Sequence, residues 1–89
     1  MVFEYDLNKS SINKQKHGID FEEAQSLWFD HNRVEIKART VGGLRQLLIA
    51  RYKDEIWSAV FTLRNNAIRI ISVRKSRINE KEIYYNTGV

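Results

Sequence analysis

Between Arg33 and Val73 the apolar residues fall either at every second position or in unbroken β-branched runs, and three short polar breaks cut this stretch into four pieces. Successive side chains of a strand point to opposite faces, so the pattern predicts four consecutive strands. Val34, Ile36 and Ala38 alternate with Arg33, Glu35, Lys37 and Arg39, as in a strand with one wet face. Leu44 to Tyr52, Ile56 to Leu63 and Ala67 to Val73 are apolar on both faces, which calls for helices over part of the second face. Gly42-Gly43, Lys53-Asp54-Glu55 and Arg64-Asn65-Asn66 are the turns; Asn suits the last because it tolerates left-handed backbone. Strands joined this tightly pair as neighbours, giving an antiparallel sheet of about four strands.

The flanks read as helices. Val2 to Tyr5 is a short N-terminal strand, and Asp6 is placed to cap a helix from Leu7 to about His17, with Gly18 ending it. Its apolar content is poor, Leu7 and Ile12, so it is expected at the surface, packed through a narrow stripe and its lysine stems. Asp20 and Glu23 have capping-box spacing, and Ile19 with Ala24 can form a small staple. Phe21, Ala24, Leu27 and Trp28 share one helical stripe that should face the core, ending near Phe29 or Asp30. Ser76 to Tyr85 is a last helix with Ser76 as its cap. The order β-α-α-β-β-β-β-α makes an α+β domain spanning residues 1–89.

Composition bounds the function. A chain of 89 residues holds one modest core. No apolar run approaches the roughly 20 residues that cross a bilayer, and the start, MVFEYDLNK, lacks the apolar region of a secretory signal. The absence of cysteine excludes disulfides and thiolate metal sites and fits a cytoplasmic location; His17 and His31 alone make no zinc site. The net charge of +4 is unevenly spread. Residues 19–32 carry four acids and no Lys or Arg, whereas Arg64, Arg69, Arg74, Lys75, Arg77 and Lys81 crowd the C-terminal third. Guanidinium groups on a stiff strand suit the gripping of phosphates, because Arg presents a planar fork of donors and keeps its charge.

Phe3 to Ala24, FEYDLNKSSINKQKHGIDFEEA, resembles the N-terminal signature of BrnT-like toxins of bacterial toxin–antitoxin systems, through Tyr5-Asp6, Lys9, Asn13, Lys16-His17-Gly18, Phe21 and Ala24. Arg69 to Lys75, RIISVRK, followed by Glu80 and Tyr84, resembles the family's C-terminal signature. Tyr5 stands where the family usually has Trp, and Val73 where it usually has Ala; both are volume changes at core positions. The resemblance implies a RelE-like fold and a toxin that blocks translation by cutting RNA. It also implies a cognate ribbon-helix-helix antitoxin, BrnA-like, through which the complex binds operator DNA. Two toxins with two antitoxins is the expected assembly.

RNA can be cut without a metal or cofactor when its 2′-OH attacks the adjacent phosphate. Such a site needs a proton acceptor, a proton donor and cations for the phosphate oxygens. His17, Arg64, Arg74, Glu80 and Tyr84 are the catalytic candidates, and Lys16, Arg69, Lys75 and Arg77 the RNA-binding ones. Each has a plainer role. His17 can cap carbonyls at a helix end. Arg74 can pair with Glu80, and Tyr84 can pack the last helix with its hydroxyl at the rim. Trp28 and Trp57 suit the core better than base stacking. Two alternatives compete with a nuclease: a non-catalytic nucleic-acid-binding module, and a degenerate toxin acting only through its protein partner.

Overall fold

The computed structural model describes residues 1–40 and 43–87. The strand pieces form where the alternation puts them: β2 at Val34–Thr40, β3 at Gly43–Tyr52, β4 at Glu55–Arg64 and β5 at Ala67–Lys75, each antiparallel to the next. Two-residue turns close the last two hairpins. Lys53 and Asp54 join β3 to β4, Asn65 and Asn66 join β4 to β5, and all four have positive φ, which matches the twist of the flanking strands. The turn expected at Gly42-Gly43 involves a residue outside the described ones.

The sheet departs from an all-antiparallel meander of four strands. Strand β1, Val2–Glu4, is a full fifth member and runs parallel to β5, so the sheet is mixed, in the order β1-β5-β4-β3-β2. This order is not the RelE-like arrangement that the resemblance implies. The reason lies in the connection. Helices α1 (Leu7–His17) and α2 (Phe21–Ala24) lie between β1 and the hairpins, and a helical crossover lets a strand pair in parallel where a tight turn does not. β1 takes the edge that the meander leaves free on β5.

Helix α1 spans Leu7–His17 between Asp6, whose side chain accepts from the Lys9 amide, and Gly18, which is left-handed at φ 84°. It does not pack through Leu7 and Ile12, which are exposed. Its buried face is polar. Ser10 Oγ accepts from the Phe21 amide at 2.9 Å. The Asn13 amide group donates to Ile19 O at 2.8 Å and Val73 O at 2.9 Å, and accepts from Val73 N at 3.2 Å. One side chain thus ties α1 both to the loop after it and to β5. An apolar residue there would leave the β5 backbone groups unpaired.

Helix α2 is a single turn, Phe21–Ala24, closed by the Asp20–Glu23 capping box. It passes directly into a 3₁₀ turn, Gln25–Phe29, rather than continuing as an α-helix. The tighter winding still buries Leu27 and Trp28 with Phe21 and Ala24. Helix α3 spans Ile78–Thr87. Ser76 does not cap it. The Ser76 hydroxyl bonds to that of Ser58 at 2.7 Å, and Glu80 reaches back to the Arg77 amide at 2.8 Å.

The two faces of the sheet are covered unequally. On the first, α1, α2 and the 3₁₀ turn bury Phe21, Leu27, Trp28, Leu48, Trp57, Phe61, Ile70 and Val73 with their neighbours. On the second, α3 covers one end only, where Tyr84 packs on Ile49 and Ile56 beside Val34, Ile36 and Leu47. No described helix is long and apolar enough to cross a membrane.

Asn13→Ala should lower the unfolding free energy in urea by about 3 kcal/mol, because three buried bonds are lost together. Leu7→Ala, at an exposed site, should change it by less than about 0.5 kcal/mol in the same measurement.

Candidate functional site

Cations of β4 and β5 share the second face of the sheet, Arg64 and Arg69 on the half that α3 leaves open and Arg74 at the edge of α3. Arg69 and Arg74 are five residues apart, and in a regular strand an odd separation puts side chains on opposite faces. A bulge corrects this. Ser72 pairs with Val60 and Ile70 with Phe61, so Ile71 is an extra residue on β5. Ile70 and Val73, three apart, both enter the core of the first face in consequence. Arg69, opposite Thr62, and Arg74, opposite Ser58, both face α3. Arg64, six residues beyond Ser58 on β4, shares that face by simple alternation.

These arginines are held by two different acids. Arg69 Nη1 lies 3.6 Å from Glu4 Oε1, and Arg64 Nε lies 3.8 Å from the same oxygen. Both contacts are long and partly exposed, so water screens them and they hold the side chains loosely. Arg74 is fixed far more firmly. Its Nη1 and Nη2 donate to Glu80 Oε1 and Oε2 at 2.7 and 2.9 Å, a two-pronged pair.

Glu80 is buried and accepts from four donor atoms in three groups: both terminal nitrogens of the Arg74 guanidinium, the Arg77 amide, and the Ser58 hydroxyl at 3.0 Å. The Arg74 guanidinium above all, then the Arg77 amide and the Ser58 hydroxyl, hold its carboxyl at about 2, although burial pushes the other way. A carboxylate so committed is a poor proton acceptor and a good anchor.

Tyr84 stands one turn further along α3. Its hydroxyl donates to Asp30 Oδ2 at 2.6 Å, and that oxygen also accepts from the Arg51 amide at 2.8 Å. Burial, and then the Asp30 carboxylate, raise the phenol above its ordinary value. Burial acts to raise Asp30 too, but the Tyr84 hydroxyl and the Arg51 and Asn32 amides together bring it below the usual range. Arg51 Nη2 donates to the Tyr85 hydroxyl at 3.0 Å, which closes the cluster.

The remaining candidates lie elsewhere. Lys16 and His17 are exposed in the last turn of α1, the helix that covers the first face. Lys75 pairs with Trp57, and so faces away from Arg74. Arg77 is exposed just before α3 and engages Glu80 through its backbone. Among the described residues, no group of three or more His, Cys, Asp or Glu side chains is placed to hold a metal ion.

Sequence reasoning missed Glu4, Asp30, Arg51 and Ser58. Glu4 was out of reach, because its basic partners stand beside it only through the pairing of β1 with β5. Asp30 and Arg51 are 21 residues apart, and no local pattern announces their meeting.

The family model described as "Ribonuclease toxin, BrnT, of type II toxin-antitoxin system" matches residues 5–80. No curated protein matches the chain.

The Glu80 carboxyl is lower in the folded chain, at about 2, than the ordinary 4.5 of an unfolded one. Its contribution to stability is therefore complete above the unfolded value and is lost as the pH falls through the folded one. Glu80→Gln should cost about 2–3 kcal/mol at neutral pH and close to nothing near pH 2, measured by denaturant titration at both.

Proposed function

The chain belongs to the family of BrnT ribonuclease toxins of type II toxin–antitoxin systems, and on that premise we propose that it is an endoribonuclease that cuts RNA without a metal. The observation that carries the reading is the bulge at Ile71, which turns Arg69 and Arg74 onto the same sheet face as Arg64. Arg64 and Arg69, which converge on Glu4, supply the positive field that a five-coordinate phosphate requires as the 2′-OH attacks, with Arg74 about 13 Å further along the sheet.

In this reading Arg64 and Arg69 release Glu4 and take the equatorial oxygens of the scissile phosphate. Arg74 is the fixed member, oriented by Glu80. The Glu80 carboxylate acts as a positioning group, since all its near donors are already engaged. Tyr84 seats α3 through Asp30, and so forms the wall of the site. Lys16 and His17, on the helices of the first face, suit contact with the protein partner that a type II system provides. That partner is proposed to be a ribbon-helix-helix antitoxin of the BrnA kind, which neutralises the toxin in a two-to-two complex and carries it to operator DNA. The cytoplasm, where translation runs, is the proposed location. The RelE-like relation is retained only as kinship of function, because the strand order differs.

One observation favours the competing reading of a non-catalytic RNA-binding module. The proton-moving candidates are not gathered: Glu80 is saturated, the Tyr84 hydroxyl is given to Asp30, and His17 belongs to a helix on the other face.

The test is incubation of the purified chain with RNA in the presence of EDTA. Cleavage is expected, leaving 2′,3′-cyclic phosphate and 5′-hydroxyl ends, and Arg69→Ala should lower kcat/KM by about 10²–10³. Intact RNA, together with tight salt-sensitive binding, would overturn the nuclease and establish the binding module.

A further inference from the structure

Arg45 of β3 stands in line with the arginines already described. It pairs with Ala38 on β2. The β3–β4 ladder, carried one step past Gln46 and Phe61, sets it opposite Thr62. Thr62 in turn pairs with Arg69, and Arg69 with Glu4. A single row therefore crosses the sheet as Arg45, Thr62, Arg69 and Glu4. All four face α3, because Leu47 and Ile49 on β3 do so and Arg45 follows them by alternation. Arg45 and Arg69 are two strand spacings apart, about 10 Å between Cα atoms, with the Thr62 hydroxyl between them.

Arg45 differs from Arg64, Arg69 and Arg74 in one respect. Each of those lies within 4 Å of a carboxylate, and Arg45, although half-buried, has no acid partner among the described residues. A partly buried guanidinium without a counter-ion carries a cost unless an anion from outside supplies the charge. Glu4, the one acid of the row, sits at its far end and is already shared by two arginines.

We infer that Arg45 and Arg69, with Thr62 between them, form a phosphodiester-binding site. It grips the backbone of single-stranded RNA at the centre of the open face. This rests on the RNA-cutting reading above and adds to it a residue that neither terminal signature contains. Arg45 supplies the permanent charge, Arg69 swings from Glu4, and the Thr62 hydroxyl donates to a non-bridging oxygen. Because the contact is to phosphate, it holds the strand in register without selecting a base.

The experiment measures binding of a fluorescent single-stranded RNA carrying 2′-O-methyl groups throughout, which the chain can hold but not cut, across a series of salt concentrations. Arg45→Gln should weaken binding about ten-fold and reduce the slope of log affinity against log salt by about 0.7, the loss of one phosphate contact on a single strand. Arg45→Lys should keep the slope and recover part of the affinity, since the charge remains and the fork is lost. Lys37→Gln removes an equal charge from the opposite face and should leave the slope as in the wild type. Binding and slope unchanged in Arg45→Gln would overturn the site, as would equal losses in Arg45→Gln and Lys37→Gln. Cutting of unmodified RNA by the wild type is scored alongside. Failure to cut overturns the nuclease reading alone, and indifference to Arg45 in a chain that cuts overturns this site alone.

Discussion

One carboxylate holds the back half of the molecule together. Glu80 binds the guanidinium of Arg74 on β5, the hydroxyl of Ser58 on β4 and the amide of Arg77 just before its own helix. Without it the Arg77 amide at the start of α3 would lose its acceptor, Arg74 would lose its carboxylate, and the Ser58 hydroxyl would be left with Ser76 alone. Helix α3 has little apolar surface to spare: Ile78 and Tyr85 are exposed, and Tyr84 is its one contribution to the small second core among the described residues. Polar clamps at Glu80 and at Tyr84–Asp30 therefore do much of what apolar packing does elsewhere. The helix that frames the site is set by the same bond that orients the arginine beneath it.

The front half solves a similar problem by similar means. Helix α1 presents Ser10 and Asn13 to the interior rather than an apolar stripe, and each satisfies backbone groups of a neighbouring segment. Buried amides bound on every side give up little burial energy and gain a fixed position. β5 is thus gripped from both faces, by Asn13 at Val73 and by Glu80 at Arg74, at adjacent residues. That double hold makes it a rigid base for the cations it carries.

Much of this was readable in advance. The alternation of Val34 and Ile36 with Glu35 and Lys37, the Asn-Asn turn, the Asp6 cap with Gly18, and the Asp20–Glu23 box are local signals, and each appears where its residues stand. The pairing of Arg74 with Glu80 was open to inference, because strand end and helix start are six residues apart. Long-range features were not legible. β1 joins β5 in parallel across 65 residues, and nothing in Val2 to Glu4 says which edge it will choose. Leu7 and Ile12 misled, because apolar residues on a short helix suggest packing, whereas the actual contact is through polar groups whose partners lie elsewhere in the chain. The facing of Arg69 and Arg74 was hidden too, since a bulge leaves no mark in composition.

That bulge has a consequence for how the chain can change over time. Ordinarily a strand can drift in length at its ends while its interior keeps one phase. Here the interior carries an odd residue, and both the hydrophobic packing of Ile70 with Val73 and the common facing of two distant cations depend on it. Pairing Arg69 to Arg74 as a regular ladder at its present length would, in one step, turn one guanidinium inward or bring a core side chain out, whereas loss of the extra residue would leave the two arginines four apart and in phase. Point substitutions along the segment, and even removal of its extra residue, are open to trial; a regular pairing at its present length is not.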